Sequence, residues 1–241
     1  MKNKLRHLTL ALALLTTAFC MSACDDETPD GPYNTPDSSV GGTVPTVEEA
    51  IDLGLTSGTL WAPYNVGATA PGEAGAYIAW GETGAKSAYD WGSYKWSDKK
   101  GANFSKYTPD GKTILDSGDD AAAVNWGGSW VMPTVAQLEE LFSECTQEWK
   151  AEGEYAEGSL AGYLLTSKEN GKTLFLPAAG RKVESSLYHK GEYGGYWSSN
   201  LLSGGAYYAS NYYFQDPEPV KSFYLYRYIG LSVRPVCQSS K

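Results

Sequence analysis

All 8 tryptophans, and every one of the 18 tyrosines except Tyr33, fall between Trp61 and Tyr228. That concentration constrains the fold more than any other feature of the chain. Each large ring removes much apolar area from water and seeks a partner for its polar tip, so a stretch holding nearly all of them must bury many. The residues from Thr46 onward suffice for one domain with a sizeable core.

Before Thr46 the chain reads differently. Lys2, Lys4 and Arg6 precede an apolar run over residues 8–19, the layout of a secretory leader. The run is shorter than the roughly 20 apolar residues that span a bilayer. It ends at Met21-Ser22-Ala23-Cys24, which resembles the lipobox of bacterial lipoproteins, with Met21 where Leu is usual. The resemblance implies a signal peptide over residues 1–23 and lipidation of Cys24, because several acyl chains anchor where one does not. The competing reading is an ordinary leader cleaved nearby that leaves Cys24 a free thiol. Residues 24–45, rich in Asp, Pro, Gly, Ser and Thr, then form the lipidated N-terminus and a flexible tether to a domain over 46–241. Asp25, Asp26 and Glu27 resemble the signal that sends some lipoproteins to the outer face of the outer membrane, with a periplasmic face as the alternative.

The formal net charge is −9, and cleavage before Cys24 removes three of 19 basic residues and none of 28 acidic ones. Such a chain lacks the clustered Lys and Arg that nucleic acid requires. Only His189 remains beyond the leader, which excludes His-rich zinc sites and leaves no metal or cofactor expected. With Cys20 in the leader and Cys24 lipidated, Cys145 and Cys237 remain, either as a disulfide in an oxidising compartment or as two buried thiols.

Patterning gives the coarse elements. Residues 51–55 and 59–62 flank Thr56-Ser57-Gly58 as a short hairpin. The Gly- and Ser-rich stretch 67–118 carries Tyr77, Trp80, Trp91, Tyr94, Trp96 and Tyr107, spaced as if packed down. Thr134 and Gln137 make a capping box, and Val135, Leu138, Leu141, Phe142 and Cys145 recur at helical spacing, predicting a helix over 135–145. Asp119 or Asp120 caps a shorter helix through 121–124. Asn170-Gly171 between apolar runs predicts a hairpin of 163–168 with 172–176. A loop over 181–193 follows, then strand-like runs at 196–199 leading to 207–214, at 223–228, and at 231–236.

The segments DLGLTSGTLWA (52–62), NVGA (65–68), AWGET (79–83), DDAAAVNWGGSWVMPT (119–134), LFLPAAGR (174–181), GGYWSS (194–199) and GLSVRPV (230–236) resemble, in order, the Fibrobacter succinogenes major paralogous domain family. The resemblance covers residues 51–237. It implies an α+β, C-type-lectin-like domain of twisted antiparallel sheets with one or two helices and long loops, its terminal strands paired at the base. Periodicity alone gives only an α+β domain with an antiparallel sheet. The calcium-lectin triplets are not matched, the nearest strings being Gln215-Asp216-Pro217 and Trp197-Ser198-Ser199-Asn200. Nor do Cys145 and Cys237 match the paired active-site cysteines of the related formylglycine-generating enzymes.

Fold does not settle function, and the site must be sought in residues. Asp116, Asp119 and Asp120 lack an EF-hand spacing, so Asp119 or Asp120 is expected to cap a helix while its neighbour accepts hydrogen bonds or pairs with Arg234 or Arg181. Trp126, Trp130 and Trp197 read as core ahead of a sugar-stacking platform. Tyr224, Tyr226 and Tyr228 share one strand face, half-buried sheet ahead of recognition surface. Loops on a rigid scaffold carry recognition, which nominates Glu184, Tyr188, His189, Glu192 and Tyr193 as ligand-binding residues, with the 216–219 turn second. No nucleophile elbow or phosphate loop is present. The expectation is a non-enzymatic, surface-exposed binding or adhesion module for a glycan or protein; the alternatives are an extracellular carbohydrate-active enzyme and a structural envelope component.

Overall fold

The computed structural model describes residues 40–108, 111–216 and 218–238. The expected leader, Cys24 and the first part of the tether lie outside the described residues, as does Pro217 of the second-choice turn. The chain opens with the hairpin β1 (Ile51–Asp52) and β2 (Thr59–Trp61). A long connection leads to the helices α1 (Ala121–Trp126) and α2 (Val135–Glu144). The meander β3 (Cys145–Lys150), β4 (Gly162–Ser167) and β5 (Thr173–Pro177) follows, then the small hairpin β6 (Arg181–Val183) and β7 (Ser186–Tyr188). The sheet β10-β9-β8 comes from β8 (Tyr193–Leu201), β9 (Tyr208–Gln215) and β10 (Glu218–Tyr226), and β11 (Val236–Gln238) returns to pair with β2. All strand pairings within these sheets are antiparallel, so the domain is α+β.

The local reasons are those of the sequence. Thr134 Oγ1 accepts from Gln137 N (3.3 Å) while Gln137 Oε1 accepts from Thr134 N (2.9 Å), closing the capping box that starts α2. Its buried residues are Leu138, Leu141 and Phe142. The opposite edge of the helix holds the first hairpin: Glu140 accepts from Ser57 N and Oγ, and Glu144 from Thr56 N and Oγ1. α1 is capped by Asp120, whose Oδ1 accepts from Ala122 N and Ala123 N and whose Oδ2 accepts from Met132 N. Burial raises the Asp120 pKa.

Asp119 accepts hydrogen bonds, one of the two outcomes expected of it, and pairs with neither Arg181 nor Arg234. Its carboxylate accepts from the Tyr107 hydroxyl and Lys106, with Lys95 at 3.7 Å. Both arginines lie elsewhere: Arg234 is fully buried, donating to Asn65 Oδ1 and to the carbonyls of Ala62 and Pro63. The tether also ends sooner than residue 45. Val40 packs against the core, Thr43 N donates to Ala68 O, and Trp130 Nε1 donates to Pro45 O.

Two cores lie on the two sides of the β8-β9-β10 sheet. One joins Leu138, Leu141 and Phe142 of α2 to Tyr196, Tyr212 and Phe214. The other joins Trp80, Tyr107, Trp197, Ala209 and Leu231. Gly194 is required here, because a Cβ on it would sit 2.1 Å from the Phe214 ring. The stretch 67–118 is packed by its rings, as expected: Trp80 Nε1 donates to Ser198 O and Tyr94 OH to Trp80 O.

Two expectations need correction, and the open choice at the two cysteines is decided. Residues 231–236 are extended but form no continuous strand, since their partners change almost residue by residue: Ile78 for Leu231, Tyr196 for Ser232, Val66 for Val233, Ala62 for Pro235 and Val131 for Val236. The 181–193 segment is not a plain loop but contains the β6–β7 hairpin, pinned by Glu184 to Tyr89 and by Lys182 to Gly230. Cys145 and Cys237 are free, buried thiols in different packing clusters, Cys145 at the α2–β3 junction and Cys237 beside Ala62 and Trp130; no disulfide joins them.

Candidate functional site

Strand alternation places two chemically different surfaces on the β8-β9-β10 sheet. The register pairs Phe223 with Asn211, Leu225 with Ala209 and Tyr224 with Ser210, so Tyr213, Phe223 and Leu225 lie on one face while Tyr208, Tyr224 and Tyr226 lie on the other.

On the second face the rings form a continuous strip. Tyr208 stacks on Tyr226 at 4.7 Å, Tyr226 stacks on Tyr228 at 5.4 Å, and Tyr224 meets Tyr208 edge-on at 5.3 Å. Trp91 from the long connection stands edge-on to Tyr207, Tyr226 and Tyr228. It is seated over Gly101, where φ is +71° and a Cβ would strike the indole at 2.8 Å. Tyr207, Tyr224 and Tyr226 are 43%, 44% and 38% exposed, a contiguous apolar surface of the kind that marks recognition sites.

Beneath the strip lies Arg227, fully buried and, among the described residues, without a carboxylate partner. Its guanidinium sits 4.9 Å from the Phe104 ring centre and 5.0 Å from that of Trp80, and donates to the Tyr94 hydroxyl and to the carbonyls of Lys106, Tyr107 and Ala206. Burial lowers its pKa and raises that of Tyr94, with the nearby Arg227 charge opposing the latter. The arginine thus clamps the long connection to the residues that carry the strip.

The first face holds a cavity of about 220 Å³ lined by Arg181, Tyr193, Tyr213, Phe223 and Leu225. Tyr193 and Tyr213 stack at 5.6 Å, Phe223 meets Tyr213 edge-on at 5.6 Å, and the Arg181 guanidinium lies 5.6 Å from the Tyr193 ring centre. Burial pushes the Tyr193 hydroxyl up to about 12, against the lowering effects of Arg181 and Asn211.

Of the five residues nominated from sequence, His189 lies against Tyr188, Glu192 and the Tyr193 backbone, while Glu184 lies apart. Tyr193 is a buried β8 residue and a wall of the cavity rather than part of a loop, because its alternation in β8 turns it inward. Tyr188, 46% exposed, ends β7 opposite Arg181, and its ring lies 6.4 Å from that of His189. His189 Nδ1 lies 3.2 Å from Glu192 Oε2 in an exposed turn. Glu184 is at the far tip of the hairpin. Both Glu184 and His189 have positive φ, 53° and 56°, and each is held there by backbone bonds: Glu184 exchanges two with Tyr89, and His189 O accepts from Glu192 N and Tyr193 N.

Arg181, Tyr213, Phe223, Trp91, Tyr207 and Tyr208 were missed as site residues. The tyrosine stripe at 224–228 was the signal for the strip; its β9 and Trp91 partners required the register. Trp197 and Trp130 are core, as expected, and Trp126 is partly buried against Trp130 at 5.5 Å. No family model, no curated protein and no solved structure matches the chain.

Proposed function

We propose that this protein is a lipid-anchored envelope protein, displayed at the outer membrane, whose domain is a non-enzymatic recognition module that binds glycan on the Tyr207, Tyr224 and Tyr226 strip. The exposed strip carries the reading: sugar rings present apolar C–H faces and hydroxyl edges, and tyrosine offers a ring for the first and a polar tip for the second. The pairing of β11 with β2 and the long packed connection support the C-type-lectin-like reading of the fold. The Met21-Ser22-Ala23-Cys24 run and the polar segment after it support the anchor.

A glycan array probed with the full-length protein tests the site. Tyr224→Ala with Tyr226→Ala should abolish retention by neutral glycans, and chelating calcium should leave it unchanged. Retention by neutral glycans that survives the double substitution, or product release from a polysaccharide, would sink the reading. Labelled palmitate should enter the wild type and not Cys24→Ser.

One observation favours a second reading, a protein ligand. Among the described residues β10 pairs only with β9, and Lys221 and the bulge between Glu218 and Lys221 guard only its first half. A partner strand could add along the remaining edge. Pull-down of a defined partner, lost when Ser222→Pro removes an N–H that points away from β9, distinguishes it from glycan retention.

A further inference from the structure

The cavity on the opposite face of the sheet is independent of the strip, and its arginine is in an unusual state. Arg227 and Arg234 each donate at least three hydrogen bonds to groups of the chain. Arg181 makes no ion pair among the described residues, and its buried Nε has no hydrogen-bond partner. Asn211, fully buried on the same face beside Phe223, lies against the Tyr193 hydroxyl and lowers its pKa. Buried polar groups are paired in nearly all native structures, so an unpaired guanidinium nitrogen in the wall of a cavity needs an explanation.

The geometry points to a binding site for a carboxylate-bearing sugar unit, with Arg181 as the carboxylate clamp. A guanidinium presents a planar fork of donors that matches a carboxylate, and here it is preset by the Tyr193 ring instead of being neutralised by an acidic neighbour. In a chain with 28 acidic and 19 basic residues, a cation left without a carboxylate selects an anionic ligand against the overall field. The stacked Tyr193 and Tyr213, with Phe223 and Leu225, supply an apolar wall for one ring face. At about 220 Å³ the cavity is smaller than the roughly 300–1,000 Å³ pockets that enclose drug-sized molecules, so it takes a single ring-sized unit. Tyr188, opposite Arg181 in the β6–β7 ladder, projects to the same side of that hairpin and is exposed.

The test is titration of the full-length protein, followed by NMR, with methyl β-D-glucuronide and with methyl β-D-glucoside, which differ in whether the terminal carbon is a carboxylate or a hydroxymethyl group. N-acetyl-glycyl-tyrosine serves as the peptide carboxylate. The glucuronide should bind about tenfold more tightly than the glucoside, the value of a charged hydrogen-bonding contact, and this preference should weaken with added salt. Arg181→Gln should erase the preference and Arg181→Lys should retain part of it. Phe223→Ala, at an exposed strand position, should weaken the glucuronide even if Arg181→Gln fails to fold. The Tyr224→Ala, Tyr226→Ala protein should bind the glucuronide as the wild type does, which separates this site from the strip. Equal affinity for the two glycosides, no binding of either, unchanged preference in a folded Arg181→Gln protein, or tighter binding of the peptide would each overturn the proposal.

Discussion

The two ends of one face of the β8-β9-β10 sheet are built from the same residue type by the same alternation, yet they have opposite fates. At one end α2 lies on the sheet: Phe142 stacks on Tyr212 at 5.7 Å, and Phe214 is fully buried. At the other end no helix among the described residues covers the face, and Tyr208, Tyr224 and Tyr226 lie against one another, with Tyr224 and Tyr226 exposed. An aromatic stripe therefore becomes core or recognition surface according to what the rest of the chain lays over it. The stripe itself specifies neither.

Four measurements break or sharpen this contrast. Phe214→Ala at the covered end should cost about 3–5 kcal/mol of unfolding free energy in urea, the price of an emptied core site. A loss below about 1 kcal/mol would mean that α2 does not seal that end. Alkaline pH acts next: burial pushes Tyr196, in the covered core, up to about 12 in the folded state, above the ordinary tyrosine value of 10.0. Because the folded-state pKa is raised, stability is intact below pH 10 and should fall as pH rises from 10 toward 12. Ultraviolet titration should show this phenol ionising together with unfolding, and ionisation of every tyrosine in a still folded protein would refute the covered-end picture. Thr134→Ala removes the α2 cap and should cost about 1 kcal/mol, with faster amide exchange in α2 than in β9. Tyr224→Ala at the uncovered end should change stability by only about 0.5 kcal/mol while weakening glycan retention. A core-sized loss there would show that the strip is structural.

Much of the scaffold was readable in sequence because its signals are local. The capping box of α2, the Asn170-Gly171 turn and the Thr56-Ser57-Gly58 turn each act over a few residues, and all three elements form where expected. The ambiguity between Asp119 and Asp120 was resolved only by tertiary contact, since Met132 N and the α1 amides converge on Asp120 while Lys106 and Tyr107 take Asp119. The strand expected at 231–236 failed because an apolar, alternating segment can be threaded among several partners as readily as zipped to one. The site was the least legible. Tyr193 looked like the end of a loop, and Arg181 like a mate for an aspartate, because neither the β8 register nor the Asp119 network is local in sequence.

Cys145 and Cys237 have a use that follows from their seclusion. Burial lifts the Cys145 thiol to about 11 and raises that of Cys237, so reactive thiolate is scarce at neutral pH and neither sulfur is reachable. An alkylating reagent added to the native protein then reads time rather than accessibility: each adduct records when its own neighbourhood first comes apart. One sulfur reports on the helix-to-strand junction and the other on the join between the chain's first hairpin and its last strand, so the order of labelling tells which seam gives way first.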